Sequence, residues 1–260
     1  MEHVERFAEL LATPDPRLDL ALALVAAAGR PGVDPDTIVA ALDQLATQVP
    51  DAAAERMCHA LFDPGGAIGL QGDRVDYYDP RNSLLDEVLD RRLGIPITLS
   101  VVGIEVGRRL GIQLVGIGMP GHFLLGERTT GRFLDAFDGG RSVDADGARA
   151  LFHRLHGADT TFEATYLAPT SATMVVMRVL NNLRGAHLRR GDRHGLATTL
   201  RLQAALPGSA TAARRELAGV LAADGRFLEA AQVHESLARD DAGDAEQHAR
   251  TATRLRARLN

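Results

Sequence analysis

The chain has 260 residues, 45% of them hydrophobic and 24% charged, with a formal net charge of −5 and a single cysteine, Cys58. This is globular composition, long enough for one large domain or two smaller ones, and one cysteine excludes an internal disulfide framework. No stretch reaches the roughly 18 consecutive apolar residues of a membrane span. The start, MEHVERFAELLA, lacks the basic and apolar regions of a secretory leader, so a cytoplasmic protein with no membrane contact is expected.

All 29 basic residues are arginine. The lack of lysine excludes Schiff-base and P-loop lysine chemistry. From Met174 onward there are 14 Arg against 9 acids, net +5, and the first 173 residues carry the remaining −10. The asymmetry predicts two modules. It is too mild for the basic stripe of a nucleic-acid binder, so no nucleic-acid partner is expected.

Residues 1 to 62 read as helices. DPRLDLALALVAAAG opens on a capping-type Asp15 and closes at Gly29, DPDTIVAALDQLATQV repeats the signal, and AAERMCHALF follows. DPGGAIGLQGD reads as a connector rather than a phosphate loop, because no strand precedes its glycines. NSLLDEVLDRRLG is a helix with Asn82 or Ser83 as cap, and IPITLSVVGIEVGRRLG is another with Pro96 in its first turn, where proline is tolerated. The period then changes. IQLVGIGM, HFLLGE and RFLDAF are three antiparallel strands, DGGRSVDADG is a loop ending in a helix cap, and DADGARALFHRLHG is a helix.

From residue 172 onward the pattern is helical and repeats. NNLRGAHLRRGDRHGLATTLRLQAALP and RELAGVLAADGRFLEAAQVHESLARDD align without gaps at an offset of 34, placing Leu183 on Leu217, Ala186 on Val220, Gly191 on Gly225 and Ala197 on Ala231. This resembles tetratricopeptide repeats. Two repeats and a final helix near 244 to 260 make a short array, which is expected to lean on the preceding domain.

The chemistry concentrates in PGHFLLGERTTGRFLDAF, residues 120 to 137. A hairpin closed by a two-residue loop at Thr130 and Gly131, or by a four-residue loop at Glu127 to Thr130, puts His122 and Asp135 on one face. A carboxylate beside an imidazole fixes its tautomer and raises its basicity, as a general base requires. The alternative is a purely structural hydrogen bond.

The stretch NSLLDEVLDRRLGIPITLSVVGIEVGRRLGIQLVGIGMPGHFLLG, followed by FLDAFDGG, resembles the SirB-type branch of the transglutaminase-like proteins, in which such a core precedes tetratricopeptide-like helices. The resemblance implies an α+β fold: a papain/transglutaminase-like core with a small antiparallel sheet, then an all-α helical module. The parts expected are 1–75, an N-terminal helical portion, 76–170, the core, and 171–260, the repeats. In active members of the superfamily a cysteine at a helix N-terminus is the nucleophile, a histidine on the first following strand is its base, and an aspartate on the next strand orients that histidine. His122 and Asp135 match the latter two. The cysteine lies about fifteen residues before the glycine of the closing LGI; that glycine is Gly111, and the position falls on Pro96.

Proline is no nucleophile. The expected protein is therefore a scaffold that binds an unidentified protein or peptide in its cleft, with no cofactor and no metal. Tyr77, Tyr78, Asn82 and Arg141 are its candidate binding residues, although the tyrosines also read as a packing cluster and Arg141 as an exposed side chain. The alternative is a hydrolase or acyl transferase using Thr98 or Ser100, one-half and one turn into the helix, with His122 as base and Asp135 as orienter. Against it, short hydroxyl side chains commonly bond back to helix backbone. Cys58 reads as an inert core thiol. A metal held by His122, Asp135 and a further carboxylate is a third arrangement, whereas His153 and His156 lack a third ligand and read as solvated.

Overall fold

The computed structural model describes residues 2–206, 208, 210–240 and 243–259. Four helices come first: α1 (Glu2–Leu11), α2 (Leu18–Gly29), α3 (Pro35–Gln48) and α4 (Ala54–Phe62). The start of α3 follows the sequence rule, since the Asp34 carboxylate accepts from the Asp36 amide at 3.0 Å and Pro35 occupies the first turn. Asp15 does not cap α2. That helix opens at Leu18, with Arg17 in the cap position and no side-chain cap bond. Nine of its twelve residues are buried, so packing rather than capping holds it.

The connector after α4 contains a strand the sequence did not reveal. β1 (Gln71–Gly72) pairs in parallel with β2 (Leu93–Gly94), which follows α5 (Leu85–Arg91). Asn82 and Ser83 do not cap α5. They lie in a preceding 3-10 turn, Pro80–Ser83, which Asp79 caps through the Arg81 amide, and Leu84 takes the cap position of α5.

The centre of the molecule is α6 (Pro96–Arg109), with eleven of its fourteen residues buried. It lies on an antiparallel sheet of β3 (Leu114–Ile117), β4 (Leu124–Glu127), β5 (Phe133–Asp135), β6 (Arg141–Val143) and β7 (Pro169–Thr170), in the order β6-β5-β4-β3-β7. Close approach depends on Gly103, where a Cβ would meet Leu125 Cδ1 at 2.8 Å. The sequence pattern reveals only the middle three strands. β6 and β7, of three and two residues, are too short for alternation to be seen, and β6 lies where a loop was expected. Leu125 pairs with Leu134 and Gly126 with Phe133, and the Glu127 amide donates to Arg132 O at 2.9 Å. The hairpin loop is thus 128–131. It has four residues, but both expected registers are corrected; the even loop preserves the parity that puts residues 122 and 135 on one face. α7 (Ala145–His156) follows β6, with the Asp144 side chain accepting from the Gly147 amide.

The remaining chain forms α8 (Ala172–Arg190), α9 (Arg193–Ala204), α10 (Ala210–Ala223), α11 (Phe227–Asp240) and α12 (Ala245–Arg256), each packed on the next. Gly191 and Gly225, 34 residues apart, both follow a helix with positive φ, 66° and 75°. A residue with a Cβ avoids that conformation. One continuous apolar cluster runs from Phe7 to Leu206, and a second gathers side chains from Leu196 to Leu255. No helix among the described residues is long and apolar enough to cross a membrane.

A buried charge cluster ties α2 and α3 to α6. Asp19, fully buried, receives Arg17 at 2.8 Å, Arg109 at 2.9 Å and Arg108 at 3.1 Å. Arg109 also reaches Glu105 at 3.0 Å and Asp43 at 2.6 Å. Burial alone pushes the Asp19 carboxyl up, but hydrogen bonds from Arg17, Arg109 and the Leu20 amide outweigh it and bring the pKa down to about 2, from an ordinary 3.8. Because the folded pKa is depressed, the stabilisation is complete above the unfolded value and is lost as pH falls from about 4 to about 2. Chemical denaturation of Asp19→Asn at pH 7 should give a loss of roughly 2–3 kcal/mol, and the difference from wild type should shrink at pH 3.

Candidate functional site

His122 sits on the loop that enters β4, and Asp135 is the last residue of β5. The resemblance placed the histidine on the first strand after the helix; it lies instead just before the second, because β3 intervenes. His122 Nε2 is 3.0 Å from each carboxylate oxygen of Asp135. Both side chains are more than nine-tenths buried. Asp135 also caps the 3-10 turn Ala136–Asp138, accepting from the Phe137 amide at 3.0 Å and the Asp138 amide at 3.2 Å through Oδ1. A carboxylate receiving two backbone N–H groups is an acceptor, so the imidazole donates from Nε2. Nδ1 makes no hydrogen bond among the described residues. The Phe137 ring stands edge-on to the imidazole at 6.1 Å, and the Arg74 guanidinium covers Phe137 at 4.8 Å.

His122 separates two clefts. The smaller, about 290 Å³, is lined by Tyr77, Pro96, Ile97, His122, Arg178 and Asn182 among others. The larger, about 610 Å³, opens between β6 and α7 and includes Arg74, Asp135, Asp138, Arg141, Leu151 and Arg154. Pro96, at the start of α6, thus shares the smaller cleft with the imidazole.

Neither candidate hydroxyl lines either cleft. Thr98 is fully buried; its Oγ1 donates to Asn82 O at 2.7 Å and accepts from the Ile95 amide at 3.1 Å. It acts as a capping residue of α6. Ser100 is also fully buried, and its Oγ has no hydrogen-bond partner among the described residues. Asn82 lies inside the protein, its amide donating to Asp73 Oδ2 and Asp76 O and its Oδ1 accepting from Arg91, so every polar atom is committed to the frame beneath the cleft. Tyr77 lines the smaller cleft and packs edge-on against Tyr78 and Phe137. Tyr78 lies under the Arg189 guanidinium at 3.9 Å. Arg141 is 67% exposed and pairs with Asp138 at 3.4 Å on the rim of the larger cleft.

Cys58 is fully buried outside both clefts, and burial pushes its thiol up to about 12. His156 is not simply solvated, because its Nε2 donates to Pro120 O at 3.0 Å and ties α7 to the His122 loop. Among the described residues, no three His, Cys, Asp or Glu side chains come together as a metal site.

Sequence reasoning missed Arg178, on α8. Its guanidinium donates to Gly118 O, to Met119 O at 3.0 Å and to His122 O at 3.2 Å, and it covers the Phe123 ring at 5.3 Å. In sequence it is one arginine in a helix rich in them, 56 residues from His122. No local signal marks it.

A buried His–Asp pair on an antiparallel sheet, facing the N-terminus of a central helix, defines a papain-like α+β domain. Residues 36–181 match the family model of the transglutaminase-like superfamily, and the chain belongs to that superfamily. Its relatives there include UPF0162 proteins. One from Xylella fastidiosa is 41% identical over 133 residues, covering 48% of this chain and 47% of its own length. One from Pseudomonas aeruginosa is 33% identical over 189 residues, 71% of this chain and 70% of its own. The chain is also 32% identical over 167 residues to human F-box only protein 21, covering 61% of this chain and 24% of that protein. The chain thus spans about half the length of the Xylella relative. No solved structure matches it.

The arrangement predicts a reactive thiol if cysteine is restored at the helix start. Proline in a first turn is replaceable at little cost, and a thiol at a helix N-terminus beside an imidazole ionises readily. Pro96→Cys should alkylate with iodoacetamide at about pH 6.5 at least tenfold faster than the P96C/H122A double variant, while Cys58 stays unreactive until the protein unfolds. Equal rates in the two variants would mean that position 96 does not face His122.

Proposed function

We propose that the protein is a SirB-type member of the transglutaminase-like superfamily that binds a peptide or protein segment in the clefts flanking His122 without cleaving or transferring it. The observation that carries this reading is Pro96, which stands in the cleft that His122 lines, at the position to which the resemblance assigns the nucleophile. The frame around it is intact: the imidazole is oriented, its Nδ1 can accept a ligand N–H, and the two clefts offer room for an extended segment. The helices α8 to α12 are proposed to act as a tetratricopeptide-like array within segment 171–260. Their successive packing and the two 34-spaced glycines support that view. The single cysteine supports a cytoplasmic setting.

A hydrolase reading draws on the same open Nδ1. It requires Thr98 to release the Asn82 carbonyl, or Ser100 to leave the core. Both movements disrupt the start of α6, which makes binding the better-supported function.

The test is selection of peptides from a random display library against the full chain. Selected peptides should lose affinity by about tenfold or more on Tyr77→Ala, as expected for an aromatic anchor on the cleft wall, and also on His122→Ala. Amide and ester substrates should show no turnover that depends on His122. Binding indifferent to both substitutions would move the site elsewhere, and turnover abolished by H122A would establish the hydrolase.

A further inference from the structure

Arginines that this protein buries are generally given a carboxylate. Arg109 has Asp19, Arg91 has Asp73 at 3.6 Å, and Arg201, whose pKa is likewise lowered by burial, has Glu229 at 2.9 Å. Arg178 is the exception. Its hydrogen bonds go to three neutral carbonyls, and it has no ion pair among the described residues. Burial lowers its pKa, so the charge is held there at a cost. Partly desolvated guanidinium groups usually have that cost offset by an anion. Gly118 accommodates the arrangement, since a Cβ there would stand 2.6 Å from Arg178 Nη1.

The side chain lines the smaller cleft, in which no lining residue is acidic. Three of its five N–H groups are used by the carbonyls, leaving Nε–H and one hydrogen on Nη1. Asn182, on the next turn of α8, contributes an amide with no hydrogen bond among the described residues, and the N-terminal end of α6 adds partial positive charge.

We propose that this cleft takes the C-terminal carboxylate of a bound peptide, with Arg178 as its counter-ion. The proposal rests on the peptide-binding reading and sharpens it. The cleft of about 290 Å³ has room for a terminal residue, and the wall of α8 residues Asn181 and Asn182 limits it there. The groove of about 610 Å³ across His122 takes the preceding residues, with Val143, Leu151 and Leu155 as their apolar contacts. His122 lies where the two meet, and its Nδ1 lone pair suits the last peptide N–H. Specificity then resides in the end of a chain rather than in an internal motif.

The test uses three small probes on the labelled full-length protein, followed by NMR at the Arg178 Nε–H and the His122 ring. N-acetyl-leucine carries the terminal carboxylate, N-acetyl-leucinamide lacks it, and N-acetyl-glutamic acid α-amide carries a side-chain carboxylate only. N-acetyl-leucine should give saturable shifts at both groups with a Kd in the millimolar range, at least about tenfold tighter than either other probe. Arg178→Lys keeps the charge but loses the fixed fork, and should weaken N-acetyl-leucine by about tenfold. Because this substitution also loosens the His122 loop, the comparison of probes on the wild-type protein stands by itself. Equal binding of acid and amide at His122 would overturn the carboxylate and leave the peptide site in place. Tighter binding of the glutamic probe would assign the cleft to acidic side chains and overturn the terminal assignment. No saturable shift with any probe would overturn the proposal, and library peptides that still compete at His122 would preserve the broader reading.

Discussion

The loop of residues 118 to 122 has little of its own to hold it, and the candidate site depends on how it is pinned from outside. Arg178 grips three of its carbonyls from α8, the Thr170 hydroxyl of β7 accepts from the Gly118 amide at 2.9 Å, and His156 of α7 donates to Pro120 O. All three come from chain that follows β6. The imidazole is thus positioned from one side by Asp135 and from the other by elements that sequence order would assign to later parts of the protein. The helical segment that opens with α8 takes part in building the site.

This division explains what could be read from the residues alone. Local patterns carried the helices, the three central strands and the shared face of His122 and Asp135, because periodicity and loop parity are properties of short stretches. The register was out of reach, since two loop placements were equally compatible with the alternation and the true one, 128–131, was a third. Two short edge strands had too few residues to alternate. Caps at Asn82 and Asp15 failed for a tertiary reason: Asn82 is buried among Asp73, Asp76 and Arg91, and α2 is held by packing. The Asp19 cluster left one trace, an acid interrupting an apolar run, but its arginines at 108 and 109 lie some ninety residues away. Arg178 left none. Long-range electrostatic partners have no period, and a single sequence does not display them.

Pro96 illustrates how little the fold demands of the first position of α6. The N–H groups of a first helical turn have no partner within the helix, so a proline, which lacks one, fits that backbone. The neighbouring capping hydroxyl of Thr98 and the turn that Asp135 caps belong to the same frame. Nothing in the packing of α6 on β4 requires a reactive side chain at position 96.

The helix α9 faces two ways. Leu202 and Leu206, at and just beyond its end, belong to the large apolar cluster, whereas Leu196, Ala197 and Leu200 belong to the cluster of the last helices. It is a splice between two cores, and its outer face is dry only while α10 to α12 cover it. A deletion that trimmed the array after α9 would strip apolar surface from a helix that the larger cluster also needs. Loss of the array in evolution would therefore need compensating polar substitutions on α9 at the same time, because α9 itself, which supplies Leu202 to the larger cluster, has to stay.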